Sequence, residues 1–149
     1  MKSVGDPDVL ASLITRLDAL GPQTARRWGT LTPGEMLCHL GDSASSVLRR
    51  PGGAPGRRRP VYKWIALYSP FPWPHGIKTL PQVDPHAGGT RPSDFAADRQ
   101  RAIETLRAVA AAPAEALPTS HFMFGAMTMA DWRCWAHRHT DHHLRQFGL

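Results

Sequence analysis

Thr32-Pro33-Gly34-Glu35-Met36-Leu37-Cys38-His39-Leu40 carries two helix-start signals at once. Threonine followed three residues later by glutamate forms a capping box, in which each side chain satisfies an orphan backbone donor. Proline at the first helical position has its φ preset and lacks only an N–H that no helical carbonyl would take. The chain is therefore expected to turn helical at Pro33, and Leu37, Leu40, Ala44, Val47 and Leu48 follow at helical spacing. The helix is expected to end near Arg50, where Pro51-Gly52-Gly53 takes over.

The same grammar extends in both directions. Upstream, Asp6-Pro7 reads as an N-cap and first-position proline. Leu10, Leu13, Ile14, Leu17 and Leu20 then form an apolar stripe that Gly21-Pro22 stops. Downstream, a helix from about Ser93 to Ala111 presents Phe95, Ala96, Arg99, Ala102, Ile103, Leu106 and Val109, with Pro113 and Pro118 beyond it. A last helix starts at Thr128, where Thr128-Met129-Ala130-Asp131 is a second capping-box variant, and runs to about Phe147. No strand alternation and no internal repeat is visible. Four helices with one long connection predict an all-α fold, an antiparallel four-helix bundle, as a single domain over residues 1–149.

The connection, residues 51–92, holds nine of the fourteen prolines and six of the thirteen glycines, interspersed with Tyr62, Trp64, Tyr68, Phe71 and Trp73. Lys63 to Tyr68 suits a short helix, and the rest reads as loop. Its aromatics predict packing rather than disorder. A lid over a site and a plain bundle crossover are equal readings at this point.

The totals exclude several classes. No apolar run is long enough to span a bilayer. The start, Met1-Lys-Ser-Val-Gly-Asp-Pro, lacks the apolar core of an export signal, so a cytoplasmic location is expected. Two cysteines, Cys38 and Cys134, give no disulfide framework and read as free, buried, small hydrophobes rather than ligands. The net charge is +6, half of it from Arg57-Arg58-Arg59, and no nucleic-acid motif accompanies it.

Chemistry concentrates at the end of the chain, in His139-Thr-Asp-His142-His143-Leu-Arg-Gln-Phe-Gly-Leu149. At about 100° per residue, Trp132, Ala136, His139, His143 and Gln146 share one helix face, with Trp135 and His142 at its edge. His139 and His143 continue a core stripe, and two inward imidazoles need partners and cannot both be charged. A shared cation answers that need, and four-residue spacing is a known way to offer it two nitrogens. His39, among apolar residues of the second helix, is the best candidate third ligand. A histidine alone on an apolar face is more often a satisfied core residue than a ligand. His142 is an alternative to either neighbour, or else sits behind them or at the surface. His137 points the other way, and His75, His86 and His121 fall in loops. Asp42 and Gln146, each three residues beyond a candidate ligand, could orient a ring; a surface salt bridge for Asp42 and a helix-end contact for Gln146 are the plainer readings.

In combination these residues resemble the DinB/YfiT-like superfamily. The helical Leu31-to-Leu40 segment with Trp28 upstream is similar to its second-helix signature, and the His139-to-Gly148 ending to its last-helix signature. Pro72-Trp73-Pro74-His75-Gly76 in the crossover, Phe124-Gly125, Thr128 and Trp132 resemble an uncharacterised branch. The resemblance implies a four-helix bundle holding a divalent metal, usually zinc or nickel, through His39, His139 and His143. It implies frequent homodimers, and thiol transferases or isomerases that use low-molecular-weight thiols such as bacillithiol or mycothiol.

Two function classes follow. One is a metal-dependent enzyme, foremost a transferase whose thiol is activated at an open metal position, with water activation for hydrolysis as the variant. The other is a non-catalytic bundle that binds metal or a small molecule; a fourth protein ligand would favour it. A small-molecule substrate, no membrane and no nucleic acid are the expected partners.

Overall fold

The structure, a computed structural model, describes residues 1–49 and 60–149. The Pro51-Gly52-Gly53 stop and the Arg57-Arg58-Arg59 run lie outside the described residues. Four bundle helices are α1 (Pro7–Asp18), α2 (Pro33–Leu48), α4 (Phe95–Ala111) and α5 (Met129–Gln146); α3 (Pro60–Tyr68) belongs to the crossover. Among the described residues no helix is long and apolar enough to cross a membrane.

Each bundle helix starts on a side-chain cap. Asp6 accepts from the Asp8 N–H (2.9 Å) and Asp94 from the Ala97 N–H (2.8 Å). Both capping boxes close. Thr32 accepts from the Glu35 N–H (3.3 Å) while Glu35 accepts from the Thr32 N–H (2.8 Å). Thr128 and Asp131 repeat the exchange at 3.2 and 2.8 Å.

Contacts between helices fix their directions. Gly34 lies against Pro92 and Phe95, and Gly41 against Arg101, so α2 and α4 run parallel. Val4 bonds the Arg133 carbonyl and Arg16 reaches Asp141, so α1 and α5 also run parallel. The antiparallel contacts are α1 on α4, where Arg99 meets the Asp18 carbonyl, and α2 on α5, where the Arg27 N–H bonds the Gln146 carbonyl. A parallel pair cannot be joined by a tight turn. The chain must return along α2, whose 16 residues rise about 24 Å, so the long crossover is a topological requirement.

The core is the inner seam: Leu13 and Leu17 from α1, Met36, Leu37 and Leu40 from α2, Ile103 and Leu106 from α4, Trp132 and Leu144 from α5. Helix α2 is buried almost all round, and Cys38 is fully covered with it. Both cysteines are free, and burial pushes the Cys38 thiol up to about 12.

The crossover is tied to the outer side of α5. Lys63 donates to Asp131 (2.9 Å) and to the Ala126 carbonyl (2.8 Å), and Tyr68 donates to Asp131. Arg138 donates to the carbonyls of Ala66 and Phe71, and Trp73 Nε1 donates to the same Ala66 carbonyl (2.6 Å). Helix α3 starts three residues earlier than Lys63. Tyr68 and Trp73 pack as expected, but Trp64 and Phe71 stay 58% and 69% exposed.

The sequence reading saw no strand, yet a hairpin pairs β1 (Ser120–His121) with β2 (Gly125–Ala126), Ser120 opposite Ala126 and His121 opposite Gly125. Two-residue strands are too short for alternation to register. Gly125 turns at φ +72°, which side chains disfavour.

Candidate metal centre

Two turns into α2, His39 points at α5. His139 and His143, one turn apart, point back. The His39 and His139 Nε2 atoms stand 3.1 Å apart, and all three rings offer a ligand atom within 4.8 Å of the others. His142 is not part of this group, nor is any cysteine or carboxylate among the described residues.

The surroundings set which nitrogen is bare. His39 Nδ1 lies 2.8 Å from the Val83 carbonyl, which can only accept, so the proton sits on Nδ1 and Nε2 keeps its lone pair. His143 Nδ1 lies 3.2 Å from Gln146 Oε1, which assigns its proton in the same way. Gln146 is itself buried, with its amide against Gly29. Gly29 has φ +81°, and a Cβ there would collide with that amide. The turn before α2 is thus shaped around the residue that orients a ring on α5. Of the two plainer readings, Gln146 escapes its own by bonding His143. Asp42 bonds Thr90 and Arg101 instead of His39; it forms a salt bridge, but a buried one.

Electrostatics keep the rings neutral. Burial lowers the His39 pKa, with the Val83 bond opposing. His139 and His143 are held well below the ordinary imidazole value, by burial first and by neighbouring rings second. Three neutral imidazoles converging, two of them with the proton fixed on the far nitrogen, are a donor set for a divalent cation. Two nitrogens on one tetrahedral zinc stand about 3.4 Å apart, close to the 3.1 Å between His39 and His139, and the His143 ligand atom lies within 4.8 Å of both.

The centre opens into a cavity of about 500 Å³. Trp135 stacks on His139 (4.9 Å between ring centres, 16° between planes), and Trp73 lies over His139 and His142. Crossover, α2, α5 and hairpin all contribute walls, and most lining side chains are apolar. At one edge Trp28 stacks on His75 (3.8 Å, 11°) and leans on His142. Burial, then His75, lowers the His142 pKa to about 4. Of the histidines read as loop residues, His121 lines the cavity, and His75 sits beside His142, which lines it; only the fold brings them there. His86 is exposed and faces Glu35. His137 is buried away from the centre.

The family model described as the DinB superfamily matches residues 6–147, nearly the whole chain. No curated protein and no solved structure matches. The chain belongs to the DinB superfamily.

Proposed function

We propose that this member of the DinB superfamily is a metal-dependent transferase, in which His39, His139 and His143 hold a zinc or nickel ion and a low-molecular-weight thiol is the nucleophile. The observation that carries the reading is the convergence of three neutral, oriented imidazoles on the wall of a substrate-sized cavity, with no fourth protein ligand among the described residues. Such an ion would supply an open position that lowers a bound thiol's pKa, giving a thiolate at neutral pH. The chain's own residues do the rest. Val83 and Gln146 fix the tautomers of His39 and His143. Trp135 and Trp73 keep water from the open side and leave room for a second substrate. The apolar lining supports a sulfur nucleophile over water, because a thiolate loses less hydration than hydroxide on entering it. Two free buried cysteines accord with a reducing, cytoplasmic compartment. We read the chain as one domain. Imidazole donors suit zinc, nickel and copper alike, so the donor set alone does not choose the ion.

The test is elemental analysis of wild type beside His139→Ala, followed by thiol titration of the cobalt-substituted protein. About one equivalent of metal in wild type, its loss in the variant, and a thiolate-to-cobalt band on adding a small thiol are expected. Equal metal in both proteins rejects the ligand assignment; metal without a thiol band rejects the transferase reading.

A further inference from the structure

We infer that His121 is a hydrogen-bond donor to substrate, and that the cavity is built for an apolar molecule carrying a carbonyl group at the end away from the three histidines. The inference rests on the cavity being the substrate site proposed above, and it assigns the part of that site which the metal reading leaves unused.

His121 sits on β1 of the hairpin and lines the cavity. Its Nδ1 accepts from the Met123 N–H at 3.2 Å, which puts the ring proton on Nε2. Among the described residues Nε2 has no protein partner. The residue is half-buried, and its ring borders the cavity. The ring is stacked on Phe124 (4.4 Å, 15°) and tilted against Phe122 (4.5 Å). Burial lowers its pKa to about 4, so the ring is neutral near pH 7 and has a single N–H to give.

The position relative to the centre decides the ligand. His121 lies 6.2 Å from Trp135, and Trp135 lies 4.9 Å from His139. Trp135 is thus in ring contact with both His121 and the metal-binding group. The walls between are indole and phenyl rings, which suit an aromatic or aliphatic body. Lys63 is paired with Asp131, and the cavity's lining cation, Lys78, belongs to the crossover rather than the hairpin, so the neutral ring of His121 is matched by a neutral acceptor rather than an anion. A carbonyl oxygen meets these terms.

The experiment is tryptophan-fluorescence titration with two probes of matched shape, acetophenone and cumene, on metal-free wild type, His121→Asn and His121→Gln. Asparagine keeps the acceptor for Met123 and deletes the Nε2 donor; glutamine restores a donor near that place. Wild type should bind acetophenone about three- to tenfold more tightly than cumene, the size of one net hydrogen bond. His121→Asn should lose the preference and His121→Gln should recover part of it. Equal affinities in wild type, or a preference that survives in His121→Asn, would overturn the inference. Because no metal or thiol is present, failure here is separate from failure of the thiol band in the cobalt protein. Absence of binding by either probe would overturn both this inference and the apolar-substrate site beneath it.

Discussion

The two walls of the cavity are made differently. One wall is the α2–α5 seam, where regular helices with closed capping boxes carry His39, His139 and His143 among fully buried side chains. The other is the crossover with the hairpin, short elements carrying exposed aromatics and tied down by a handful of polar contacts to Asp131 and Arg138. Chemistry that needs ligands held to fractions of an ångström sits on the first wall. Shape recognition sits on the second, where few contacts must break for the wall to adjust.

The largest expected effect belongs to the helical wall. Saturating zinc should stabilise the protein by about 4 kcal/mol at a thousandfold excess over Kd, a rise in Tm of roughly 8–16 °C. His39→Ala should abolish the rise, since two rings remain. A thermal scan with and without zinc measures both. An undiminished rise in His39→Ala would move the ion elsewhere and dissolve the contrast between the walls.

Next comes the joint between them. Asp131 completes the α5 capping box and also receives Lys63 and Tyr68 from α3. Asp131→Ala removes both functions and should cost about 2–3 kcal/mol. Limited proteolysis should then cut the 60–92 segment faster than α2 or α5. Uniform loss of resistance along the chain would mean that the crossover is not a separately held layer.

Legibility in the sequence divides along the same line. The helical wall could be read because its signals are local: Thr32 to Glu35, Thr128 to Asp131, and imidazoles spaced four apart are facts of one turn of helix. Together with Asp6-Pro7 before α1 and the periodic apolar face of α4, they placed all four bundle helices, and the three histidines singled out are the ones that converge. Parallel pairing of α2 with α4 was not local, although the length of the crossover encodes it. For a related reason the salt bridge of Asp42 could be read but not its burial: its partners, Thr90 at the end of the crossover and Arg101 on α4, are distant in sequence. His121 was passed over because a lone histidine in a loop has no periodicity, and only pairing with Gly125 brings it to the cavity. Its one sequence cue was the run of aromatics around it.

Acid should probe the two walls by degrees. Folding holds His121 and His142 down to about 4, against an ordinary 6.5, and holds His39, His139 and His143 low as well. Above pH 6.5 neither folded nor unfolded chain binds these protons, and no stability is lost. As pH falls from 6.5 toward 4, the unfolded chain takes up protons that the fold refuses, so metal-free stability drops; below about 4 the loss from His121 and His142 levels off. Urea midpoints at pH 7, 5.5 and 4.5 should fall in that order. His121→Gln should flatten the fall slightly and His139→Gln more, because the helical rings also repel one another's charge. A midpoint that rises with acid contradicts the neutral, bare-nitrogen state on which the metal site depends.

The smallest effect is expected on the outer face of the crossover. Trp64 is 58% exposed on α3, whose polar hold on α5 comes from Lys63 and Tyr68. Trp64→Ser should therefore change stability by less than about 0.5 kcal/mol and leave the metal content at the wild-type value. The helix would keep its docking, since the residues that dock it are untouched. A cost above about 1 kcal/mol that grows with protein concentration would say that this face is covered in solution by a second copy of the chain. The soft wall of the cavity would then be a subunit interface, and its freedom to adjust would depend on the partner.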